Sequence, residues 1–175
     1  MIFTPTKLAG AFLIQLERKE DARGSFARAW CQREFEAQGL ASNIAQMNLS
    51  HTLLRGTIRG LHYQAQPCAE TKLVSCLRGA LYDVIVDLRP QSSTYKKWMA
   101  VELTAAEHRM LYVPEGFAHG FQSLEDNTEL LYLVSQFYSP GHERGIRYND
   151  PAFAIHWPLD VLSLSDKDRQ WPDFS

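Results

Sequence analysis

The chain has 175 residues, 45% of them hydrophobic and 22% charged, with a formal net charge of -2. This is the composition of one folded domain over residues 1–175, and it excludes a disordered chain. The near-balanced charge argues against a nucleic-acid partner, and no apolar run approaches the roughly 20 residues a membrane-spanning helix needs.

Taken in chain order, MIFTPTKLAGAF lacks the basic-then-apolar layout of a secretion signal, which predicts a cytoplasmic protein. GAFLIQL predicts a strand. CQREFEAQGL predicts a short helix, with Phe35 and Leu40 against a charged face and Gly39 as its stop. LVSCL, ALYDVIVDL, WMAVEL, HRMLYVP, GFQSL, ELLYLVSQFY and FAIHWP are short, rich in β-branched and aromatic residues, and bounded by turn formers, so each predicts a strand. Within LYDVIVDL, Leu81, Val84, Val86 and Leu88 are apolar, and Asp83 and Asp87 mark polar turns of the pleat. TAAEHRM predicts a single helical turn, and LSDKDRQW another with Ser165 as N-cap. Closely spaced strands predict an all-β sandwich or barrel with a few short helices. No glycine-rich strand-to-helix turn supports a nucleotide-binding α/β fold. Cys31, Cys68 and Cys76 match no zinc spacing and are odd in number, which predicts free thiols in a reducing compartment.

Two segments concentrate chemistry. In GTIRGLHYQ, strand alternation puts Gly60, His62 and Gln64 on one face and Arg59, Leu61 and Tyr63 on the other. A small residue beside a histidine leaves room for a ligand, although a core histidine bonded to backbone fits the same segment. In VPEGFAHGF, His119 lies among glycines and apolar residues. Neither histidine has a partner two residues away, so the HxH metal pattern of histidine-ligated barrels is missing and no metal is expected. Lys72, Tyr132 and Asp168, taken singly, read as a surface charge, a core aromatic and a solvated carboxylate.

Together these residues fall in one order. RGSF at 23–26, Gln46-x-Asn48, RGLHYQ at 59–64, KLV at 72–74, YDVIVDLR at 82–89, PEGFAHGF at 114–121, LLY at 130–132, YNDP at 148–151 and LSDKD at 164–168 resemble the dTDP-4-dehydrorhamnose 3,5-epimerase family across nearly the whole chain. The resemblance implies a metal-free, cofactor-free, cupin-type jelly roll that forms a homodimer in deoxysugar biosynthesis. It implies inversion of C3 and C5 of a nucleotide-linked 4-keto-6-deoxyhexose through an enolate. His62 is then the base, oriented by Asp168, Tyr132 the acid on the opposite face, and Lys72 the cation at the enolate oxygen. By the same resemblance Arg59 meets the pyrophosphate and His119 bonds the sugar or a phosphate. Arg23, Phe26, Gln46, Asn48, Tyr138, Glu143 and Lys167 line the nucleotide and sugar site. One departure stands out: Arg28 occupies the place of a base-reading glutamate. A donor-only arginine cannot accept the thymine N3–H and suits cytosine or guanine edges, which leaves a CDP- or GDP-linked substrate open. Inversion at one carbon only, and a 3,4-ketoisomerase reaction on the same keto sugar, also stay open.

Overall fold

A computed structural model describes residues 1–174. From the N-terminus come β1 (Ile2–Pro5), β2 (Phe12–Gln15), β3 (Lys19–Asp21), β4 (Gly24–Phe26), α1 (Gln32–Ala37) and β5 (Gln46–Thr52). Then follow β6 (Ile58–Gln64), β7 (Lys72–Arg78), β8 (Ala80–Asp87), β9 (Trp98–Thr104), β10 (Arg109–Val113), β11 (Phe117–Ser123) and β12 (Thr128–Val134). A single 3-10 turn (Pro140–His142), β13 (Glu143–Gly145) and α2 (Asp166–Arg169) complete the order. One sheet runs β1-β2-β10-β7-β12-β5 and the other β13-β6-β11-β8-β9, while β3 and β4 form a separate ribbon. The strands switch between sheets as in a jelly roll, so the expected all-β sandwich is present.

Pleat alternation explains the layers. On β8, Leu81 and Ile85 point inward against Val74, Leu111, Val113 and Leu130 of the six-stranded sheet. Val84 and Val86 point outward, where Ile146, Phe153 and Ile155 cover them. Asp83 and Asp87 share the inward parity, and both are completely buried. Asp87 is held by Arg89 at 2.7 Å and by the hydroxyls of Ser92 at 2.5 Å and Thr94 at 2.7 Å. Burial alone raises its pKa, but these donors outweigh it and hold the group at about 2. Six-residue α1 is too short to be stable alone. It is anchored by Phe35, buried with Ile14, Leu73, Met110 and Tyr112 on the outer face of the larger sheet. Burying such a ring contributes about 1.5–3 kcal/mol.

Two local expectations change, and one strand appears that was not expected. FAIHWP forms no strand: Ala154 takes a left-handed φ of 46°, and Phe153 and Ile155 pack as a cover without pairing. TAAEHRM closes as a turn, with His108 at φ 51°, and no helical turn forms. Strand β5 was not legible because its alternation is inverted. Gln46, Asn48 and Ser50 point inward, whereas Met47 and Leu49 are 66% and 63% exposed. No helix among the described residues is long and apolar enough to cross a membrane.

Candidate active site

The site lies between β5, β7 and β12 of one sheet and β6 and β11 of the other. His62 and His119 are direct cross-strand partners. The strands approach closely here: a Cβ on Gly60 would lie 2.5 Å from the Gly120 Cα and 2.8 Å from the His119 carbonyl oxygen. Gly60 also takes a φ of 117°, open to glycine alone. The pairing slips at this point, because Arg59 aligns with Phe121 and His62 with His119. Three steps on β6 match two on β11, which is a bulge. Strict alternation placed Arg59 opposite His62; the bulge instead brings both to one cleft, while Leu61 and Tyr63 pack outward.

His62 Nε2 meets Asp168 Oδ1 at 2.5 Å, and Asp168 Oδ2 accepts the Gly60 N–H at 3.2 Å. Asp168 reaches this place because Ser165 caps α2, accepting the Asp168 N–H at 3.1 Å, as its sequence position predicted. Burial pushes the Asp168 carboxyl up, yet the His62 ring, the Gly60 N–H and Ser165 hold it below the usual aspartate value. An ionised carboxylate is acceptor-only, so His62 Nε2 is the donor in this contact, and in the neutral ring that leaves Nδ1 as the acceptor facing the cleft. Beside it His119 Nε2 meets buried Asp83 Oδ1 at 2.6 Å, with Asp83 Oδ2 unpartnered among the described residues. Lys72 Nζ donates to the His62 carbonyl at 3.3 Å and pairs with Glu70 at 3.3 Å. Tyr132 reaches the cleft from β12, in register with Asn48. Burial, then the Glu70 charge, push its phenol above the ordinary range, against Arg59, so it is a protonated donor at neutral pH.

The cleft has two lobes that share His62, Lys72 and Tyr132. One, of about 490 Å³, also holds Arg59 and His119; the other, of about 460 Å³, holds Gln46, Asn48, Tyr138 and Glu143. Arg59 is braced by Thr52 Oγ1 and the His51 carbonyl, each at 3.1 Å. Glu143 accepts from Tyr138 at 2.7 Å and from Lys167 at 2.6 Å. Gln46 Oε1 accepts the Tyr138 N–H at 2.6 Å. No three His, Cys, Asp or Glu side chains converge in a metal-binding set among the described residues.

Eleven of the fourteen sequence candidates therefore meet at this cleft or its rim. Arg23, Phe26 and Arg28 do not. Arg23 pairs with Asp21 at 2.7 Å on the β3–β4 ribbon, Phe26 is 69% exposed, and Arg28 pairs with Glu34 at 3.3 Å. Asp83 was read from sequence only as a polar mark in the pleat, and its pairing with His119 was missed. The available signal was a carboxylate inside an apolar strand, which has to find a partner when buried.

Two packed antiparallel sheets with a lined cleft between them define a jelly roll of the cupin type, and the chain has that fold. The family model for dTDP-4-dehydrorhamnose 3,5-epimerase matches residues 5–175, and the chain belongs to that family of isomerases. It is 41% identical to a dTDP-4-dehydrorhamnose 3,5-epimerase of Sinorhizobium fredii over 173 residues, covering 98% of this chain and 89% of the relative. It is 39% identical to a dTDP-4-dehydrorhamnose 3-epimerase of Streptomyces niveus over 170 residues, covering 97% and 82%. Among solved structures, the Bacillus anthracis dTDP-4-dehydrorhamnose 3,5-epimerase with TDP and PPi bound matches with TM-score 0.95 and 42% identity, over 99% of each chain.

Proposed function

We propose that this chain, acting as one domain over residues 1–175, inverts C3 and C5 of a dTDP-linked 4-keto-6-deoxyhexose by acid–base chemistry. The observation that carries this reading is the placement of the two proton carriers. His62, backed by Asp168 of α2, lines the cleft from the five-stranded sheet, and the protonated Tyr132 from the six-stranded sheet. A ketone at C4 acidifies the protons on both neighbouring carbons. His62 removes a proton from one face, and the ammonium of Lys72 stabilises the enolate oxygen. Tyr132 returns a proton to the other face, which inverts the carbon. Each proton-transfer group of this kind contributes about 10²–10⁴-fold. Arg59 is placed to hold the pyrophosphate, with His119 on the sugar or a phosphate.

Thymidine is the favoured base, since a relative at 42% identity holds TDP and Arg28 here is engaged by Glu34. The 3-epimerase at 39% identity supports a second reading, inversion at C3 alone. We further infer a homodimer in which the β3–β4 ribbon, with Arg23 and Phe26, completes the partner's cleft. Exposed Met47 and Leu49 on the edge strand β5 support such an interface. Three free cysteines fit a cytoplasmic location.

The test is incubation with dTDP-4-keto-6-deoxyglucose in deuterated water, followed by NMR. Deuterium at C3 and C5 with inversion at both supports the double epimerase, and deuterium at C3 alone supports the second reading. Movement of the ketone identifies a 3,4-ketoisomerase, and an unchanged substrate overturns the enzymatic reading.

A further inference from the structure

Trp171 follows α2 closely, and its indole lies over Gly145 of β13. A Cβ built on Gly145 would come within 2.2 Å of the indole Cε2 and Nε1. The space left by the glycine is therefore the seat of the ring. Gly145 is the cross-strand partner of His62, and the indole stands edge-on to the imidazole with centroids 6.4 Å apart. Lys167 Nζ lies 5.9 Å from the indole centroid on the helix side. The indole Nε1 is buried and finds no hydrogen-bond partner among the described residues, so shape and not hydrogen bonding holds the ring. Beyond it the chain is tied down again, by Arg147 to Asp173 and by the Phe174 N–H to Asp150 at 2.7 Å.

These contacts matter because α2 is four residues long and has no stability of its own. What it packs against decides where Asp168 stands. His62 is approached by Asp168 from α2, by Lys72 from β7 at its backbone carbonyl, by its cross-strand partner His119 from β11 and by the Glu143 charge from β13. Only Asp168 among them depends on the placement of a helix outside the sheets.

We propose that Trp171, seated on Gly145, is a positioning residue that fixes α2 against β6 and so sets the Asp168–His62 contact. This rests on the reading of His62 as the base. The experiment compares Trp171→Ala, Trp171→Phe, Gly145→Ala and the double variant Gly145→Ala/Trp171→Ala with the wild type, with His62→Ala as control. Each is assayed for kcat and KM on dTDP-4-keto-6-deoxyglucose, and by NMR of the ¹⁵N-labelled imidazoles for the His62 Nε2–H signal. Trp171→Ala is expected to lower kcat about 10- to 100-fold, as for a lost supporting contact, with KM changed less than about threefold. Its Nε2–H signal should broaden through exchange with water. Trp171→Phe should recover most of the rate. Gly145→Ala should reproduce the defect by displacing the indole. The double variant should be no worse than Trp171→Ala alone, because its clash is gone. A folded Trp171→Ala with wild-type kcat and an unchanged Nε2–H signal overturns the proposal, as do defects in the double variant that simply add. Should Trp171→Ala fail to fold, Gly145→Ala decides: wild-type rate and spectrum overturn the proposal. Turnover retained in His62→Ala overturns the acid–base reading instead, and the imidazole spectra still report whether Trp171 positions the pair.

Discussion

His62 and His119 stand side by side on β6 and β11, and each ring binds its own buried carboxylate, Asp168 at 2.5 Å and Asp83 at 2.6 Å. The two pairs differ in access. The His62 side chain is 29% exposed and borrows its carboxylate from a helix outside the sheets. His119 is 8% exposed, and Asp83 belongs to the adjacent strand of the same sheet. A base that must take up and release protons needs a route to substrate and solvent, which suits His62. A fixed donor that binds a ligand oxygen suits His119.

From this follows the effect of removing the first pair. His62→Ala is expected to lower kcat by about 10²–10⁴-fold while dTDP affinity stays within a few-fold, since the imidazole acts on a proton. Asp168→Asn should preserve binding and cut turnover strongly, because an amide can place its donor against Nε2 and favour the wrong tautomer. NMR progress curves and calorimetric titration measure both. Wild-type turnover in His62→Ala contradicts the mechanism.

In the proposed mechanism, Tyr132→Phe removes the acid and leaves the base. Proton abstraction should continue, so solvent deuterium should enter the substrate faster than inverted product forms. If exchange and inversion remain coupled at the wild-type rate, Tyr132 is a packing residue only.

Gly60→Ala tests the close approach of β6 and β11. The new Cβ meets backbone at 2.5 Å and 2.8 Å, and the residue is held at a φ that an L side chain rarely adopts. A loss of about 2–4 kcal/mol in urea unfolding is expected, together with lost activity. Gly141→Ala, with nothing within 4 Å of the new Cβ, is the control and should be near neutral. Equal stability of the two variants would contradict this account of the bulge.

Asp87 makes stability depend on pH. Its folded pKa of about 2 lies below the unfolded value of 3.8, so the unfolded chain binds the proton first as pH falls. The stabilisation, about 2 kcal/mol, is fully present above pH 4 and is lost as pH falls through about 2. Asp87→Asn should be less stable than wild type at pH 7, and the gap should narrow from pH 4 to pH 2. A gap independent of pH over that range would show that the ionised form is not what the Arg89, Ser92 and Thr94 donors stabilise.

The proposed dimer predicts a mass of two chains by light scattering at micromolar concentration. Leu49→Glu places a charge on the exposed face of β5 and should yield monomers. Those monomers should show weakened substrate binding although the cleft of each chain is untouched. A wild-type monomer with full activity would remove the role proposed for Arg23 and Phe26.

Much of this protein was legible along the chain. A strand such as β8 declares itself because β-branched and aromatic residues between turn formers suit a pleated, packed surface. Ser165 marks the start of α2 by a local hydrogen bond, and local geometry is what sequence carries directly. His62, Lys72, Tyr132 and Asp168 were individually ambiguous, and only their order along the whole chain gave them a shared meaning. The tertiary structure decided the rest. Asp168 lies 106 positions from His62, and Asp83 lies 36 from His119, so no local rule pairs them. Arg59 shares a wall with His62 because Gly60 and Gly120 let two backbones meet and slip the register. Side-chain direction along a strand is set by the chain itself, whereas a bulge and a long-range pairing are set by what the folded chain presses against.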